Sequence, residues 1–324
     1  MKSNPTPQPI LTQPYDLIGD IHGHAAPLEA LLLKLGYAEA GSTWRHPEGR
    51  QIIFLGDYVD RGPAIRRVLQ IVRGMVDAGD ALAIMGNHEY NAILYHLPDG
   101  HGDYLRPRWE KNIKQHSATL TQFADHPDEW TDYLAWFATL PIWMDLGGLR
   151  TVHATWDIEG MLAHPEWRVP GLEWIVQSAV RESEECLFAE KVLKGVEIPL
   201  PEGYFFTDKE EIVRDTIRIR WWLPFDGRTY HDLCLPESDT VPRFPVTETE
   251  ATAGLGYPED GPPVFFGHYW FPYDGNPRPL APNLACLDYS VAKENGALAA
   301  YRWDGEQILD PAKFVHVKTR LGIR

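Results

Sequence analysis

The sequence has little cysteine and no long apolar run. Its three cysteines, Cys186, Cys234 and Cys286, lie far apart among 324 residues and in no C-x-x-C spacing, which argues against a disulfide framework and a structural zinc site. No apolar run reaches the roughly 18 residues that a membrane span needs. Residues 1–14 are polar and proline-rich and lack the apolar stretch of a signal peptide. We therefore expect a cytoplasmic protein in which 1–14 form a flexible lead.

Basic residues are also scarce relative to acidic ones. The sequence has 30 lysines and arginines against 46 aspartates and glutamates, and its formal net charge is −16. Such a surface repels duplex nucleic acid and anionic membranes, and we expect neither as a partner. An anionic substrate would need a metal ion or an arginine cluster to attract it. The hydrophobic fraction of 44% is enough for one large α/β domain in a chain of this length.

Short apolar runs alternate with helical patterns in the first part of the chain. Strands are predicted at 15–18, 52–55 and 81–85, with helices at about 27–36 and 64–78 between them. This alternation is typical of β-α-β units with parallel strands. Later predictions are strands at 149–152, 218–222 and 264–266, one helix at about 172–193, and an antiparallel strand pair at 284–287 and 297–303.

Five of these strands are followed by residues of metal-ligand type. The loops after the carboxyl ends of strands gather at one edge of an α/β sheet, so we expect these side chains to converge. Any one of them alone is more often structural, but five coincidences favour a functional site. The residues are Asp20 and His22 after the first strand, then Asp57, then Asn87 and His88, then His153, and finally His268.

The ligand types indicate two metal ions. Mixed imidazole and carboxylate ligation suits manganese, iron or zinc, whereas magnesium and calcium prefer oxygen ligands. Asp57 is central in the order and is the natural bridge between two ions. Asp60 and Arg61 follow soon after it, where a turn can bring them to the same cavity. His88 can point away from Asn87 if this segment is an extended loop.

Three complete motifs occur in a fixed order. They are Gly-Asp-Ile-His-Gly at 19–23, Gly-Asp-Tyr-Val-Asp-Arg-Gly at 56–62 and Gly-Asn-His-Glu at 86–89. Together with the two later histidines, they resemble the motifs of the calcineurin-like metallophosphoesterases. Within that superfamily, they resemble the phosphoprotein phosphatase branch, which includes bacterial PrpE-like and ApaH-like enzymes. The resemblance implies an α/β sandwich of two mixed β-sheets flanked by helices. We expect a single domain at 15–324 with a helical cap or insertion at about 160–260.

The resemblance also implies two metal ions, divalent or trivalent, and a hydroxide between them that attacks the phosphorus directly without a phosphoenzyme. Manganese is the first choice, with iron, zinc, nickel and cobalt as alternatives. The ligands would be Asp20, His22 and Asp57 for one metal and Asp57, Asn87, His153 and His268 for the other.

The remaining roles follow from the same resemblance. His88 would be the general acid, oriented by Asp60. Arg61 would bind the phosphoryl oxygens and stabilise their charge, with Asn87 as a further substrate contact. The family usually has a second substrate arginine, for which Arg220 is the predicted residue and Arg218 the alternative.

The motifs indicate the reaction class but leave the substrate open. The first hypothesis is a serine/threonine-type phosphatase that cleaves a phosphate monoester on a protein or a small molecule. The second is a hydrolase of diadenosine polyphosphates or related nucleotide 5′ phosphoanhydrides, for which Trp221, Trp222, Tyr269 or Trp270 could stack on a base, although core packing is commoner. The third is an inactive metal-binding scaffold, which predicts a lost ligand or acid. Here Asp57, Asp60, Arg61, Asn87 and His88 are all present.

Overall fold

The secondary structure alternates strands and helices at first and becomes mostly strands towards the end. A computed structural model describes residues 13–207, 213–225, 227–246 and 256–319. The strands are β1 (Tyr15–Ile18), β2 (Ala38–Ala40), β3 (Thr43–Arg45), β4 (Gln51–Phe54), β5 (Ala81–Ala83), β6 (Trp143–Asp145), β7 (Arg150–Val152), β8 (Glu197–Pro199), β9 (Phe206–Thr207), β10 (Val213–Arg214), β11 (Thr216–Arg218), β12 (Val264–Phe266), β13 (Leu284–Cys286), β14 (Asp288–Tyr289), β15 (Ala297–Trp303) and β16 (Phe314–Lys318).

Most helices lie in the first two thirds of the chain. Short 3₁₀ helices occur at Pro165–Arg168 and Pro311–Lys313. The α-helices are α1 (Ala25–Leu35), α2 (Ile65–Asp77), α3 (Asn87–His96), α4 (Glu110–Gln122), α5 (Pro127–Phe137), α6 (Ile158–Ala163), α7 (Gly171–Gln177), α8 (Glu184–Lys194) and α9 (Tyr230–Leu233). None of the helices in the described ranges is long and apolar enough to cross a membrane.

Two mixed β-sheets form the centre of the fold. In the first, β1, β4 and β5 are parallel neighbours, and β15 pairs antiparallel with β1, β14 and β16. In the second, β7, β12 and β13 are parallel and β6 is antiparallel at the edge. The predicted sandwich of two mixed sheets flanked by helices is confirmed.

Strands β4, β12 and β13 are largely apolar because both faces of each sheet are covered. Leu17 and Ile53 pack against Phe265 of the second sheet. Their neighbours Ile18 and Ile52 belong to the larger cluster formed with α1 and α2, as the period of two along a strand requires. Both sheets are therefore held rigidly, and the loops at their carboxyl ends have a fixed base.

The region after α8 has a small apolar core of its own. Ile198 on β8 and Ile217 on β11 are buried in it with Leu233 of α9. The prediction of one domain with an insertion at about 160–260 stays a prediction. Of the expected flexible lead, only residues 13 and 14 lie within the described ranges.

Three local predictions were wrong. The single helix expected at 172–193 is two helices, α7 and α8, and Ser183 begins the second because its hydroxyl accepts a hydrogen bond from the N–H of Cys186. The strand expected at 218–222 ends at Arg218. The segment 284–287 pairs with β12 in the second sheet, and it is the following β14 that pairs with β15.

Candidate metal centre and active site

The residues predicted at the strand ends do meet in one buried cluster. Asp20, His22, Asp57, His153 and His268 are each at most 6% exposed. They follow β1, β4, β7 and β12. Strand β1 is parallel to β4 and β7 is parallel to β12, and the four strands end on the same side of the two sheets. Asn87 and His88 join them from the first turn of α3 rather than from the extended loop that the sequence suggested.

Asp57 lies between two imidazole rings. Its Oδ2 is 3.5 Å from Nε2 of His22, and its Oδ1 is 3.4 Å from Nε2 of His153. Nε2 of His88 also lies 3.9 Å from Oδ2. The two carboxylate oxygens thus face different groups of ligands, as a bridging carboxylate would.

The other predicted ligands surround this carboxylate. Oδ1 of Asn87 is 3.0 Å from Nε2 of His153 and 2.9 Å from Nδ1 of His268. Asp20 accepts a hydrogen bond from the backbone N–H of His268 and lies 4.0 Å from Nε2 of His22. Two groups within the described residues have ligand atoms close enough to hold a cation, and both include Asp57: one with His22 and His88, the other with Asp20 and His153.

These residues fit metal ions because the outer nitrogens of His22 and His153 are already bonded to backbone carbonyls. Nδ1 of His22 donates to the carbonyl of Val59 at 3.1 Å, and Nδ1 of His153 donates to that of Leu55 at 2.7 Å. Each ring therefore directs Nε2 towards the cluster, the arrangement usual for metal-binding histidines. Nε2 of His22 is buried and has no hydrogen-bond partner. A metal ion would give this nitrogen a partner.

Burial and close pairing shift the pKa values of these side chains. Burial acts to lower the pKa of His153, but the carboxylate of Asp57 raises it to about 10. The same pairing overcomes burial and holds the pKa of Asp57 well below its usual range. Burial, together with Arg61, lowers the pKa of His22 well below its usual range. The proton on His153 offsets part of the negative charge that metal ions would otherwise neutralise.

Glu89 holds the second and third motifs together. Its carboxylate accepts hydrogen bonds from the backbone N–H groups of Asp57 (2.8 Å), Tyr58 (2.7 Å) and Gly86 (3.0 Å). Asp57 has φ of +56°, a strained conformation for a residue with a side chain. A Cβ at Gly86 would lie 2.3 Å from Oδ1 of Asp57, so this close approach requires glycine.

Asp60 links His88 to helix α4. Its Oδ2 accepts a hydrogen bond from Nδ1 of His88 at 2.6 Å, and its Oδ1 accepts one from Nδ1 of His116 at 2.7 Å. The hydroxyl of Thr119 donates to Oδ1 at 2.6 Å and accepts from the N–H of Asp60 at 3.0 Å. These bonds and the two histidines lower the pKa of Asp60 although burial acts to raise it.

Arg61 lies flat on an aromatic ring beside His88. Its guanidinium carbon is 3.5 Å from the centroid of the Trp270 indole, and its Nη2 is 3.3 Å from Nε2 of His88. Trp270 is itself held by its backbone N–H, which donates to Asp288 at 2.7 Å. Trp270, one of the rings that could stack on a base, therefore already packs against Arg61. Trp221 and Trp222 are buried against Phe266.

Two cavities open beside this cluster. The first, of about 320 Å³, is lined by Arg61, Trp270 and Arg218 among others. The second, of about 610 Å³, is lined by Asn87, His268 and again Arg218. Arg220 is not among the lining residues of either cavity and forms an ion pair with Glu237. The substrate-binding role predicted for Arg220 stays a prediction, but Arg218, the alternative residue, is the one that lines the cavities.

Sequence reasoning missed several residues of the site. Glu89 was noted only as the last letter of a motif. His116, Thr119 and Gln115 lie on α4, and their only signal was a polar run on a helix without a recognisable motif. Asp288 and the stacking of Trp270 on Arg61 had no local signal.

A two-sheet α/β sandwich with a candidate dinuclear metal site at its strand ends defines the class of protein. The sequence model of the family described as calcineurin-like phosphoesterase matches residues 14–203. The chain therefore belongs to this family, and the family predicted from the three motifs is confirmed.

Relatives among curated proteins match the motif-bearing segment. The bis(5′-nucleosyl)-tetraphosphatase PrpE [asymmetrical] of Oceanobacillus iheyensis is 47% identical over 73 residues, which is 22% of this chain and 29% of the relative. The protein of the same name from Bacillus subtilis is 42% identical over 74 residues, 23% of this chain and 30% of the relative. The match thus spans less than a third of the length of either relative.

A solved structure, the cold-active protein-tyrosine phosphatase of a psychrophilic Shewanella species, is also similar. It has a TM-score of 0.44 and 17% sequence identity, with 95% of this chain and 80% of the other covered.

Proposed function

We propose that the protein is a metal-dependent phosphohydrolase, and the position of Asp57 carries this proposal. Its carboxylate presents one oxygen to His22 and the other to His153, with His88 at the edge of the same cluster. Hydrolases with two metal ions need such a bridging ligand, and they use both ions to stabilise an in-line displacement at phosphorus.

The mixed imidazole and carboxylate donor set suits two transition-metal ions. Manganese is the first choice, with iron, zinc, nickel and cobalt as alternatives. When bound, the ions would supply Lewis acidity towards a phosphoryl oxygen and would activate water for attack. The residues that would hold them are Asp20, His22 and Asp57 for one ion and Asp57, Asn87, His153 and His268 for the other.

The chain's own residues would bind the phosphoryl group and move a proton. A phosphoryl oxygen held by Arg61 would lie beside His88, because the facing nitrogens of the two side chains are 3.3 Å apart. His88 would give a proton from Nε2 to the leaving oxygen while Nδ1 stays bonded to Asp60. Arg61 would stabilise the charge that builds on the phosphoryl oxygens. Asn87 would also contact them, with Arg218 rather than Arg220 as the second arginine.

The substrate that we favour is a dinucleoside polyphosphate or a related nucleotide 5′ phosphoanhydride. Relatives similar to the motif-bearing segment carry the name bis(5′-nucleosyl)-tetraphosphatase. Arg214, Arg218 and Lys293 line the cavity beside Arg61 together with two carboxylates, Glu197 and Glu237, so the cationic side chains of its lining outnumber the acidic ones. A serine/threonine-type phosphomonoesterase is the second candidate, since the metal ligands, Arg61 and His88 would be sufficient for that reaction.

We also infer a reducing compartment, the cytoplasm, as the place of action. The support is that all three cysteines are free and two of them, Cys234 and Cys286, are buried. With a formal charge of −16, duplex nucleic acid and anionic membranes remain unexpected partners.

Two substrates test the proposal. With Mn²⁺, the purified chain should hydrolyse diadenosine tetraphosphate with a higher kcat/KM than p-nitrophenyl phosphate. Hydrolysis of p-nitrophenyl phosphate alone would favour the monoesterase instead.

Two substitutions test the mechanism and the inactive-scaffold hypothesis. His88→Asn should lower kcat by about a hundredfold or more, as expected for loss of a general acid, and Asp57→Asn should lower metal affinity as well. His101→Asn, a change of an exposed histidine outside the site, is the control. If His88→Asn and Asp57→Asn leave hydrolysis of both substrates unchanged, the assigned roles are wrong.

A further inference from the structure

The larger cavity is strongly basic although the protein is acidic. It has a volume of about 610 Å³ and shares Asn87 and His268 with the candidate metal centre. Two carboxylates, Glu190 and Glu197, also line it. The cationic residues in its lining are Arg106, Lys111, Lys191, Lys194 and Arg218.

Three of these cations are paired with carboxylates. Lys191 lies 2.8 Å from Asp157, and Arg218 lies 3.3 Å from Glu197. Lys194 pairs with Glu190 one turn before it on α8. Their charges are therefore largely offset before any ligand arrives.

Arg106 and Lys111 have no such compensation. The guanidinium of Arg106 donates to the amide oxygens of Asn112 and Gln115, each at 3.0 Å, and to that of Asn91. These neutral groups fix the orientation of Arg106 without neutralising it. Burial lowers the pKa of Arg106, although the charges of Asp60 and Glu190 act to raise it. Lys111 is exposed and forms no ion pair with any residue in the described ranges. An anion would offset both charges.

The cavity begins on the side of His88 where a leaving group would depart. Nε2 of Gln115 is 3.4 Å from Nε2 of His88, and Oε1 of the same Gln115 accepts from Arg106. One side chain thus separates the predicted general acid from the uncompensated guanidinium. A group that receives the proton of His88 would therefore lie one side chain away from Arg106.

We propose that this cavity is a distal anion subsite, in which Arg106 and Lys111 bind the phosphates of the leaving group beyond the scissile bond. The inference rests on the proposed function, and it identifies the substrate as one with a chain of several phosphates on the leaving side. The planar guanidinium of Arg106, which three amides hold in place, suits phosphate oxygens. The exposed Lys111 adds a compact positive charge to the same cavity.

Binding of inorganic tripolyphosphate tests the subsite without catalysis. Isothermal titration of the full metal-free chain should give binding that Lys111→Gln and Arg106→Gln each weaken by roughly tenfold, the worth of a charge-assisted hydrogen bond. Lys114→Gln removes the same charge one turn along α4, outside the cavity lining, and should leave the affinity unchanged. Because Arg106 connects α3 to α4, its variant is first checked for unchanged thermal unfolding. Lys111→Gln carries the test if Arg106→Gln does not fold.

Kinetics separate the subsite from the proposed function. Lys111→Gln should lower the ratio of kcat/KM for diadenosine tetraphosphate to that for p-nitrophenyl phosphate by roughly tenfold, with Lys114→Gln again as the control. An unchanged ratio, or equal tripolyphosphate affinities for wild type, Lys111→Gln and Lys114→Gln, overturns the subsite. Failure of the wild type to hydrolyse either substrate overturns the proposed function instead, and tripolyphosphate binding then still decides whether the cavity binds anions.

Discussion

Nδ1 of His116 lies 2.7 Å from Oδ1 of Asp60, on the carboxylate whose other oxygen binds His88. A histidine from the middle of α4 therefore orients the residue that orients the predicted general acid. Thr119, one turn further along the helix, exchanges two hydrogen bonds with the same aspartate. Helix α4 thereby sets the position of His88 through Asp60.

His116→Ala should lower kcat by roughly 10- to 100-fold, the usual cost of losing a group that orients a catalytic residue. KM should change little because His116 does not touch the substrate. His116→Asn keeps an N–H donor and should recover most of the activity. The measurement is kcat and KM for p-nitrophenyl phosphate across pH, where His116→Ala should also shift the limb that reports the acid. Equal kcat for the alanine and wild-type proteins would show that His116 has no positioning role.

Glu89→Gln should destabilise the fold by about 3 kcal/mol, because an amide nitrogen would face backbone N–H groups that now donate to a carboxylate oxygen. The nitrogen would face either the N–H groups of Asp57 and Gly86, which donate to Oε2, or those of Tyr58 and Val59, which donate to Oε1. Urea unfolding measures the change. Glu48→Gln, at an exposed position, is the matched control and should leave the free energy of unfolding unchanged within error.

Metal binding should release a proton from His153. In the metal-free chain its pKa is raised to about 10, so the ring is protonated at pH 7.5, whereas a metal ligand must be neutral. Mn²⁺ affinity should therefore rise with pH, up to about pH 10. Titration calorimetry in Pipes and in Tris, whose ionisation enthalpies differ, should report a net release of protons at pH 7.5. The count includes any proton held by Asp20, whose pKa burial raises well above its usual range. Identical apparent enthalpies in the two buffers would contradict the assignment.

Trp270→Leu should lower kcat/KM by roughly two- to thirtyfold, the range that corresponds to loss of a cation–π contact. The reason is that Arg61 would lose the flat surface on which its guanidinium lies. Tyr104→Leu removes a similar contact, since Arg108 lies 3.4 Å above that ring outside the lining of either cavity. Steady-state hydrolysis of p-nitrophenyl phosphate compares the two. Equal effects of both changes would mean that Trp270 acts on the fold rather than on Arg61.

The elements nearest the candidate centre were predictable from the sequence because their signals are local. Apolar runs of four residues ending in Gly-Asp or Gly-Asn mark a strand and the loop after it, and parallel strands bring those loops together. This reasoning placed Asp20, His22, Asp57 and Asn87 in one cluster, and the strands predicted before His153 and His268 added these two histidines. It erred where two local patterns look alike. The sequence suggests an extended loop where the first turn of α3 lies. In the structure the N–H of Gly86 donates a hydrogen bond to Glu89, and a helix begins there.

The second arginine shows the limit of pattern reasoning. Arg218 and Arg220 alternate in a short apolar stretch, so a strand would direct both to one face and favour neither. In the structure β11 ends at Arg218, which reaches the cavities, while Arg220 pairs with Glu237. Where the strand ends depends on pairing with β8, which the stretch itself does not contain.

The sequence by itself therefore determined the family, the alternation of strands and helices, and the set of residues able to hold metal ions. Only the tertiary structure decided that each oxygen of Asp57 faces a different imidazole, that His116 and Thr119 hold Asp60, and that Arg106 lies one side chain from His88. The physical reason is distance along the chain. Hydrogen bonds between residues 27, 56 and 59 positions apart depend on how α4 packs beside α3 and the strand ends. That packing depends on apolar contacts over the whole core.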